Sequence, residues 1–135
     1  MVEATAQRTT PVGVLIVDDK LVFRHAARDV IEAASPDFVV LGEAGSGPQA
    51  LAAFDELRPD LVLVDVRMDG MDGIETSKRL TSAHPDALVV LVTIEDPLNL
   101  SYEVGFCGAA DLIRKQDLRP SLLRRLWRLH LRQGG

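Results

Sequence analysis

The sequence predicts an α/β fold in which a five-stranded parallel sheet, ordered 2-1-3-4-5, carries helices on both faces. Five short apolar runs rich in β-branched residues alternate with five stretches of helical period, the pattern of strands crossing over through helices. Four of the runs are almost continuously apolar, as strands are when both faces of the sheet are covered.

The strands are expected at Val12 to Asp18, Phe38 to Glu43, Asp60 to Asp65, Ala87 to Thr93 and Ala109 to Ile113, the last ending against Arg114 and Lys115. The first helix should run from about Lys20 to Ala34 with Asp19 as its cap. Val22, Phe23, Ala26, Ala27, Val30 and Ile31 form its apolar stripe, and Ser35-Pro36-Asp37 ends it. The second starts at Pro48, a favourable first position, buries Ala50, Leu51, Phe54 and Leu57, and stops before Pro59. The third follows Asp72 and continues through Leu80 to the turn at His84-Pro85-Asp86. The fourth, capped by Asp96 with Pro97 next, is short because Gly105 and Gly108 follow. The fifth spans about Leu118 to Leu131.

At 135 residues, 47% hydrophobic and 26% charged, the chain fits one domain, which at this size buries roughly 70% of its unfolded surface. Its longest apolar run, Ala87 to Ile94, is far short of the ~20 residues needed to cross a bilayer. No membrane association is expected. Met1 to Thr10 lacks the apolar stretch of a signal peptide, so residues 1–11 read as a flexible lead-in and the location as cytoplasmic. Cys107 is the sole cysteine, which excludes an internal disulfide and any zinc site built on paired cysteines. Residues 1–113 carry 8 Lys/Arg against 19 Asp/Glu, whereas residues 114–135 carry 7 against 1. So acidic a body argues against direct nucleic-acid binding, because phosphate contacts supply most non-specific affinity.

Ligands of a sheet wound in this way bind beyond the carboxyl ends of its strands. The residues there are Asp18 with Asp19, Glu43, Asp65, Thr93 and, just past the fifth strand, Lys115. Asp18, Asp19 and Asp65 would converge from the neighbouring first and third strands. At ~5 Å and an effective dielectric near 20, each ionised pair repels by roughly 3 kcal/mol. The cluster therefore calls for a cation, and an all-oxygen ligand set suits Mg²⁺ better than zinc or copper. Singly, an Asp at a strand end is ordinarily a cap, a buried Thr is packing and a Lys is solvated. Asp18, Asp19, Asp65, Thr93 and Lys115 together at the carboxyl edge of successive elements are hard to obtain by chance.

In these segments the sequence resembles the receiver domain of bacterial two-component response regulators. The resemblance covers Val12 to about Leu131 and rests on Val14-Leu15-Ile16-Val17-Asp18-Asp19, Leu61-Val62-Leu63-Val64-Asp65-Val66-Arg67-Met68, Gly70-Met71-Asp72-Gly73-Ile74, Leu91-Val92-Thr93 and Lys115. Phe23-Arg24 and the run from Asp65 to Gly73 are most similar to the branch that usually ends in a LuxR-type helix-turn-helix. The resemblance implies a flavodoxin-like receiver over residues 12–132, with no effector domain in this chain. Asp65 would accept a phosphoryl group from a phosphohistidine on a sensor kinase or phosphotransfer protein. Asp19, Asp65 and the backbone carbonyl of Arg67 would ligate Mg²⁺, with Asp18 assisting through water. Lys115 and the Thr93 hydroxyl would bind phosphoryl oxygens. The protein would be a signalling phosphoacceptor rather than an enzyme acting on a separate substrate, and its phosphoryl group would be lost by hydrolysis.

Four positions depart from the pattern. Leu112 stands where an aromatic residue commonly couples to the threonine. Ile94 stands where a small residue is common, Gln116 replaces a frequent proline, and Asp69 occupies another frequent proline position.

Gly45-Ser46-Gly47-Pro48-Gln49-Ala50 formally matches a dinucleotide-binding glycine motif, with Asp65 an acid 20 residues on. It follows the second strand rather than the first, and Pro48 removes an amide from the anion site. His25, His84 and His130 read as partly exposed structural residues and Cys107 as a small buried one. On the last helix, Leu118, Leu122, Leu126 and Leu129 fill one core face. Leu123, Trp127 and Leu131 extend the apolar arc beyond it. That excess, with the fourth helix and fifth strand, is the expected surface for a homodimer or a downstream protein. Two other readings are a phosphorylation-independent scaffold with the same fold and the excised regulatory part of a DNA-binding regulator.

Overall fold

The structure, a computed structural model, describes residues 10–100, 105 and 107–134. Five strands, β1 (Val12–Val17), β2 (Phe38–Ala44), β3 (Leu61–Asp65), β4 (Leu88–Thr93) and β5 (Asp111–Arg114), pair in parallel in the order β2-β1-β3-β4-β5. Among the described residues four α-helices accompany them: α1 (Leu21–Ala33), α2 (Gly47–Leu57), α3 (Gly73–Ala83) and α4 (Pro120–Arg132). The expected fold class and strand order are those observed.

Strand periodicity sorts the core into two layers. Val12, Val14, Ile16, Leu61, Leu63, Leu88, Val90 and Val92 pack with Ala27 and Ile31 of α1 and Leu123 and Leu126 of α4. The intervening Leu15, Val17, Val62, Val64, Val89 and Leu91 pack with Ala50 and Phe54 of α2 and Leu80 of α3. The two-residue repeat carries Asp18, Asp65 and Lys115 in phase with the first layer and Thr93 with the second. β1, β3 and β4 are buried throughout, but β2 is an edge strand with Val39 and Leu41 exposed. Its pairing with β1 skips Leu41, a bulge that brings this side chain across Gly13, where an added Cβ would lie 2.5 Å from Leu41 Cδ1.

Several element ends differ from expectation for local reasons. Lys20, not Asp19, occupies the cap position of α1, and the Asp18 carboxylate accepts its amide at 2.8 Å. Val22 and Ala26 of the proposed stripe are exposed, because only Ala27 and Ile31 of α1 reach full burial. On α2, Ala50 and Phe54 are buried but Leu51 and Leu57 only half-buried. Its cap is Ser46, which accepts the Gln49 amide at 3.2 Å, while Gln49 Oε1 accepts from the Gly45 amide at 2.8 Å. Gly47 packs close to α3: a Cβ there would meet Thr76 Oγ1 at 2.6 Å and Met71 Sδ at 2.7 Å. The glycine motif thus serves a helix cap and a close packing contact. α3 begins as expected, with the Asp72 side chain accepting the Glu75 amide at 2.9 Å.

The fourth helical stretch is a 3-10 turn at Pro97–Asn99, with Asp96 accepting the Leu98 amide at 3.0 Å. The remainder of that expected helix falls largely on residues 101–104 and 106, outside the described residues, as do residues 1–9 of the lead-in. Gly108, at φ +86°, turns the chain before β5, which begins two residues later than expected and includes Arg114.

The expected faces of α4 are corrected. Leu123 is fully buried and Leu126 nearly so, with Leu122 and Trp127 packed partly against them, whereas Leu129 and Leu131 are 41% and 43% exposed. Pro120 starts the helix, so Leu118 precedes it. The sheet takes the middle of the wide apolar arc and leaves both rims in solvent. Leu123 therefore belongs to the core rather than to a partner surface, and Leu129 to the surface rather than the core.

Candidate functional site

The carboxyl edge of the sheet collects the charged residues named from the sequence. Apolar β1 and β3 run in register, Val17 beside Val64, so the polar residues at their ends emerge together. Asp18 is completely buried and Asp65 nearly so, while Asp19 lies at the rim. One carboxylate oxygen from each can be chosen such that all three lie within 4.8 Å of one another.

Two ammonium groups hold this charge. Lys115, directly after β5, reaches Asp18 Oδ2 at 2.7 Å and Asp65 Oδ1 at 3.5 Å. Its Nζ also rests 4.4 Å from the centre of the Phe23 ring on α1, which steadies the ammonium from the apolar side. The second is Lys20. Its Nζ donates to Asp19 Oδ1 at 2.9 Å, to Asp65 Oδ2 at 3.2 Å and to the carbonyl oxygen of Arg67 at 3.2 Å. These acceptors belong to the three residues that the resemblance assigns to a metal ion. An ammonium resting on them marks the position as a cation site, and the hard, all-oxygen donors fit Mg²⁺.

The electrostatics follow from burial and charge. Burial, and then the neighbouring Asp18 charge, push the Asp65 carboxyl above the ordinary aspartate value despite Lys115 and Lys20. Asp19 lies below it, chiefly through the Lys20 hydrogen bond. Of these two, Asp65 is the carboxylate whose ionised form is less well compensated.

The surrounding loops are tied to these groups. Arg24 Nη1 donates to the carbonyl of Asp18 at 2.6 Å, and its Nε to Glu43 at 3.0 Å. Arg28 donates to the other Glu43 oxygen at 2.9 Å. Glu43 therefore stands outside the metal cluster and braces α1 against β2. Asp69 donates its backbone amide to Asp19 Oδ2 at 3.2 Å, a bond that a proline at this position could not make. Gly73 sits directly under Asp65, where any Cβ would run into the Asp65 carbonyl. Thr93 is buried, and its hydroxyl accepts the Glu95 amide at 3.0 Å. Glu95 in turn pairs with Arg67 at 2.7 Å across the mouth of the site. Ile94 is 71% exposed, while Leu112 is half-buried against the α2/α3 layer.

Of the residues that the sequence places at this edge, the structure gathers Asp18, Asp19, Asp65, the Arg67 carbonyl and Lys115 around the two ammonium groups, with Thr93 at the end of the neighbouring β4. The sequence reading overlooked Lys20, treated only as the start of a helix. The available signal was its position directly after the paired aspartates. A cavity of about 580 Å³ lies at the opposite edge of the sheet, lined by Phe54, Arg58, His84, Trp127 and His130 among others, and shares no residue with the acidic cluster. His84 stacks on Phe54 and His130 lies against Trp127, while His25 is exposed and Cys107 buried.

Comparison with known proteins agrees with this geometry. The family model described as "Response regulator receiver domain" matches residues 14–126. The response regulator GacA of Pseudomonas viridiflava is 41% identical over 88 residues, covering 64% of this chain and 41% of that protein. The chemotaxis protein CheY of Thermotoga maritima is 34% identical over 108 residues, covering 80% of this chain and 88% of that one. The signal receiver domain of the putative response regulator NarL from Mycobacterium tuberculosis superimposes with a TM-score of 0.79 at 28% identity, covering 90% of this chain and 97% of that one. LuxR-family regulators are among the other solved structures that share the fold. No described helix is long and apolar enough to cross a membrane. With a family model spanning most of its length and the acidic triad typical of a receiver Mg²⁺ site, the chain belongs to the response regulator receiver domain family, a class of generally non-enzymatic signalling modules.

Proposed function

We propose that residues 12–132 form a phosphorylation switch in which Asp65 is the phosphoacceptor and a sensor histidine kinase or phosphotransfer protein is the donor. The observation that carries this reading is a buried Asp65 carboxylate held between Lys115 and a second cation position, with Asp18 and Asp19 beside it. One Asp65 oxygen attacks phosphorus as the P–N bond to the donor imidazole breaks. The imidazole nitrogen keeps the bonding pair and is protonated from solvent. The acyl phosphate reverts when water cleaves the P–O bond and releases inorganic phosphate. When bound, Mg²⁺ supplies charge neutralisation at the phosphoryl oxygens. Asp19, Asp65 and the Arg67 carbonyl would hold it, with Asp18 assisting through water. Lys115, held beside Asp65 by its ion pair with Asp18 and by the Phe23 ring, pairs with a phosphoryl oxygen. The Thr93 hydroxyl accepts from Glu95 in the unmodified protein and can donate its proton to another. Such chemistry depends on positioning and charge more than on covalent work by the protein.

Phosphorylation would be read out through the carboxyl-terminal side, comprising the loop after β4, β5 and the exposed rims of α4 at Leu129 and Leu131. With Leu112 in place of an aromatic residue, the route from Thr93 to this surface runs through the loop carrying Glu95 and Ile94 rather than a turning ring. The chain spans less than half of GacA's length.

Incubation with acetyl phosphate and Mg²⁺, followed by intact mass measurement, tests the reading. A phosphate adduct on the wild type that Asp65→Asn lacks supports it. No such adduct, together with no Mg²⁺-dependent response to beryllofluoride, favours a phosphorylation-independent scaffold.

A further inference from the structure

We infer that Lys20 is a tethered cation that occupies the divalent-ion position and must be displaced before the ion binds. The inference rests on the Mg²⁺ site proposed above and concerns what sets its affinity.

The Lys20 ammonium has three N–H donors, and three acceptors surround it: Asp19 Oδ1, Asp65 Oδ2 and the Arg67 carbonyl, at 2.9, 3.2 and 3.2 Å. They come from three separate places, the end of β1, the end of β3 and the loop after β3, so the arrangement is more than an ion pair between sequence neighbours. An octahedral Mg²⁺ holds its oxygens at about 2.1 Å. It could not share them with an ammonium at these distances. The Lys20 side chain is 53% exposed, so it can swing into solvent without opening a void in the core. Lys115 has no such freedom: its side chain is 9% exposed, and it faces Asp18 and the opposite Asp65 oxygen.

Without the ion, one ammonium lies against each Asp65 oxygen, and the three carboxylates retain a net charge near −1 rather than −3. Lys20 thereby stabilises the metal-free pocket and covers Asp65 Oδ2. Divalent-ion binding exchanges a single charge for a double one and releases Lys20 from Asp65. The residue sets a threshold concentration below which the acceptor stays covered.

The test is calorimetric titration of the full chain with MgCl₂, comparing wild type, Lys20→Met and Arg67→Met, together with their melting temperatures in metal-free buffer. Lys20→Met should bind Mg²⁺ about tenfold more tightly, equivalent to removing a competing interaction of about 1.4 kcal/mol. It should also melt lower without metal and gain more from added Mg²⁺ than the wild type. Arg67→Met removes a nearby positive charge whose side chain pairs with Glu95, and it keeps the backbone carbonyl. If it tightens binding as much as Lys20→Met does, the effect is the general field and competition for the position is overturned. Equal or weaker Mg²⁺ binding by Lys20→Met also overturns it. Absence of binding by all three proteins would instead remove the Mg²⁺ site itself, and the inference with it.

Discussion

Lys115 lies closer to Asp18 than to Asp65, at 2.7 Å against 3.5 Å, although Asp65 is the carboxylate proposed to react. Asp18 is wholly buried, so its ion pair with Lys115 is a condition of keeping that charge inside the protein. Lys115→Met should cost about 3 kcal/mol in urea unfolding without metal, because it leaves a buried charge uncompensated. The double variant with Asp18→Asn should regain much of the loss. An additive double variant would contradict the coupling.

Asp65 has the opposite sign. Burial and the Asp18 charge raise its folded-state pKa above the unfolded value of 3.8, so its ionisation opposes folding. That penalty is absent below the unfolded pKa and grows as pH rises through the folded one. In metal-free buffer at pH 7, Asp65→Asn should be more stable than wild type by about 1 kcal/mol, with a melting temperature a few degrees higher. The difference should shrink on acidification towards pH 3.8. Thermal melts across that range check both the size and the sign.

Glu43 behaves in reverse. Burial would raise its carboxyl, but hydrogen bonds from Arg28 and Arg24 outweigh burial and hold it below the ordinary value of 4.5. Its stabilising contribution is present above pH 4.5 and is lost as pH falls through the lowered folded-state value. Glu43→Gln should cost about 1 kcal/mol at neutral pH and converge on the wild type in acid. Because Arg24 also holds the Asp18 carbonyl, the variant should perturb backbone amide shifts at Asp18 and Asp19 in NMR spectra.

The faces of α4 separate two substitutions of one residue type. Leu123→Ala should destabilise by about 3 kcal/mol, since it empties a fully buried position. Leu131→Ala, at a 43% exposed position, should cost under about 0.5 kcal/mol. Denaturant unfolding of both variants decides whether the core follows the middle of the apolar arc.

The strands and the acidic site were legible in the sequence because their determinants are local. An apolar run followed at once by Asp18-Asp19, and another ending in Asp65, locate a carboxyl edge without tertiary information. Lys20 was not legible, because a long side chain folding back onto groups from β1 and from the end of β3 is a tertiary event. The orientation of α4 failed for a related reason. Its apolar arc is wider than one face of the sheet can cover, so periodicity admits several rotations, and packing chose the one that buries Leu123. Glu43 was placed correctly at a strand end, but the two arginines that claim it lie on the following face of α1. Asp69 was legible only as a missing proline, whereas in the structure its contribution is a backbone N–H.

The skipped residue in β2 bears on how the protein behaves at high concentration. An edge strand with Val39 and Leu41 exposed would, if flat, offer its unpaired backbone as a template for strand addition by another molecule. The offset at Leu41 breaks the even spacing that such addition needs, and turns that side chain over Gly13 of its own sheet. A crowded solution thus meets a kinked border instead of a continuous one, and growth of cross-β aggregates from this margin is discouraged.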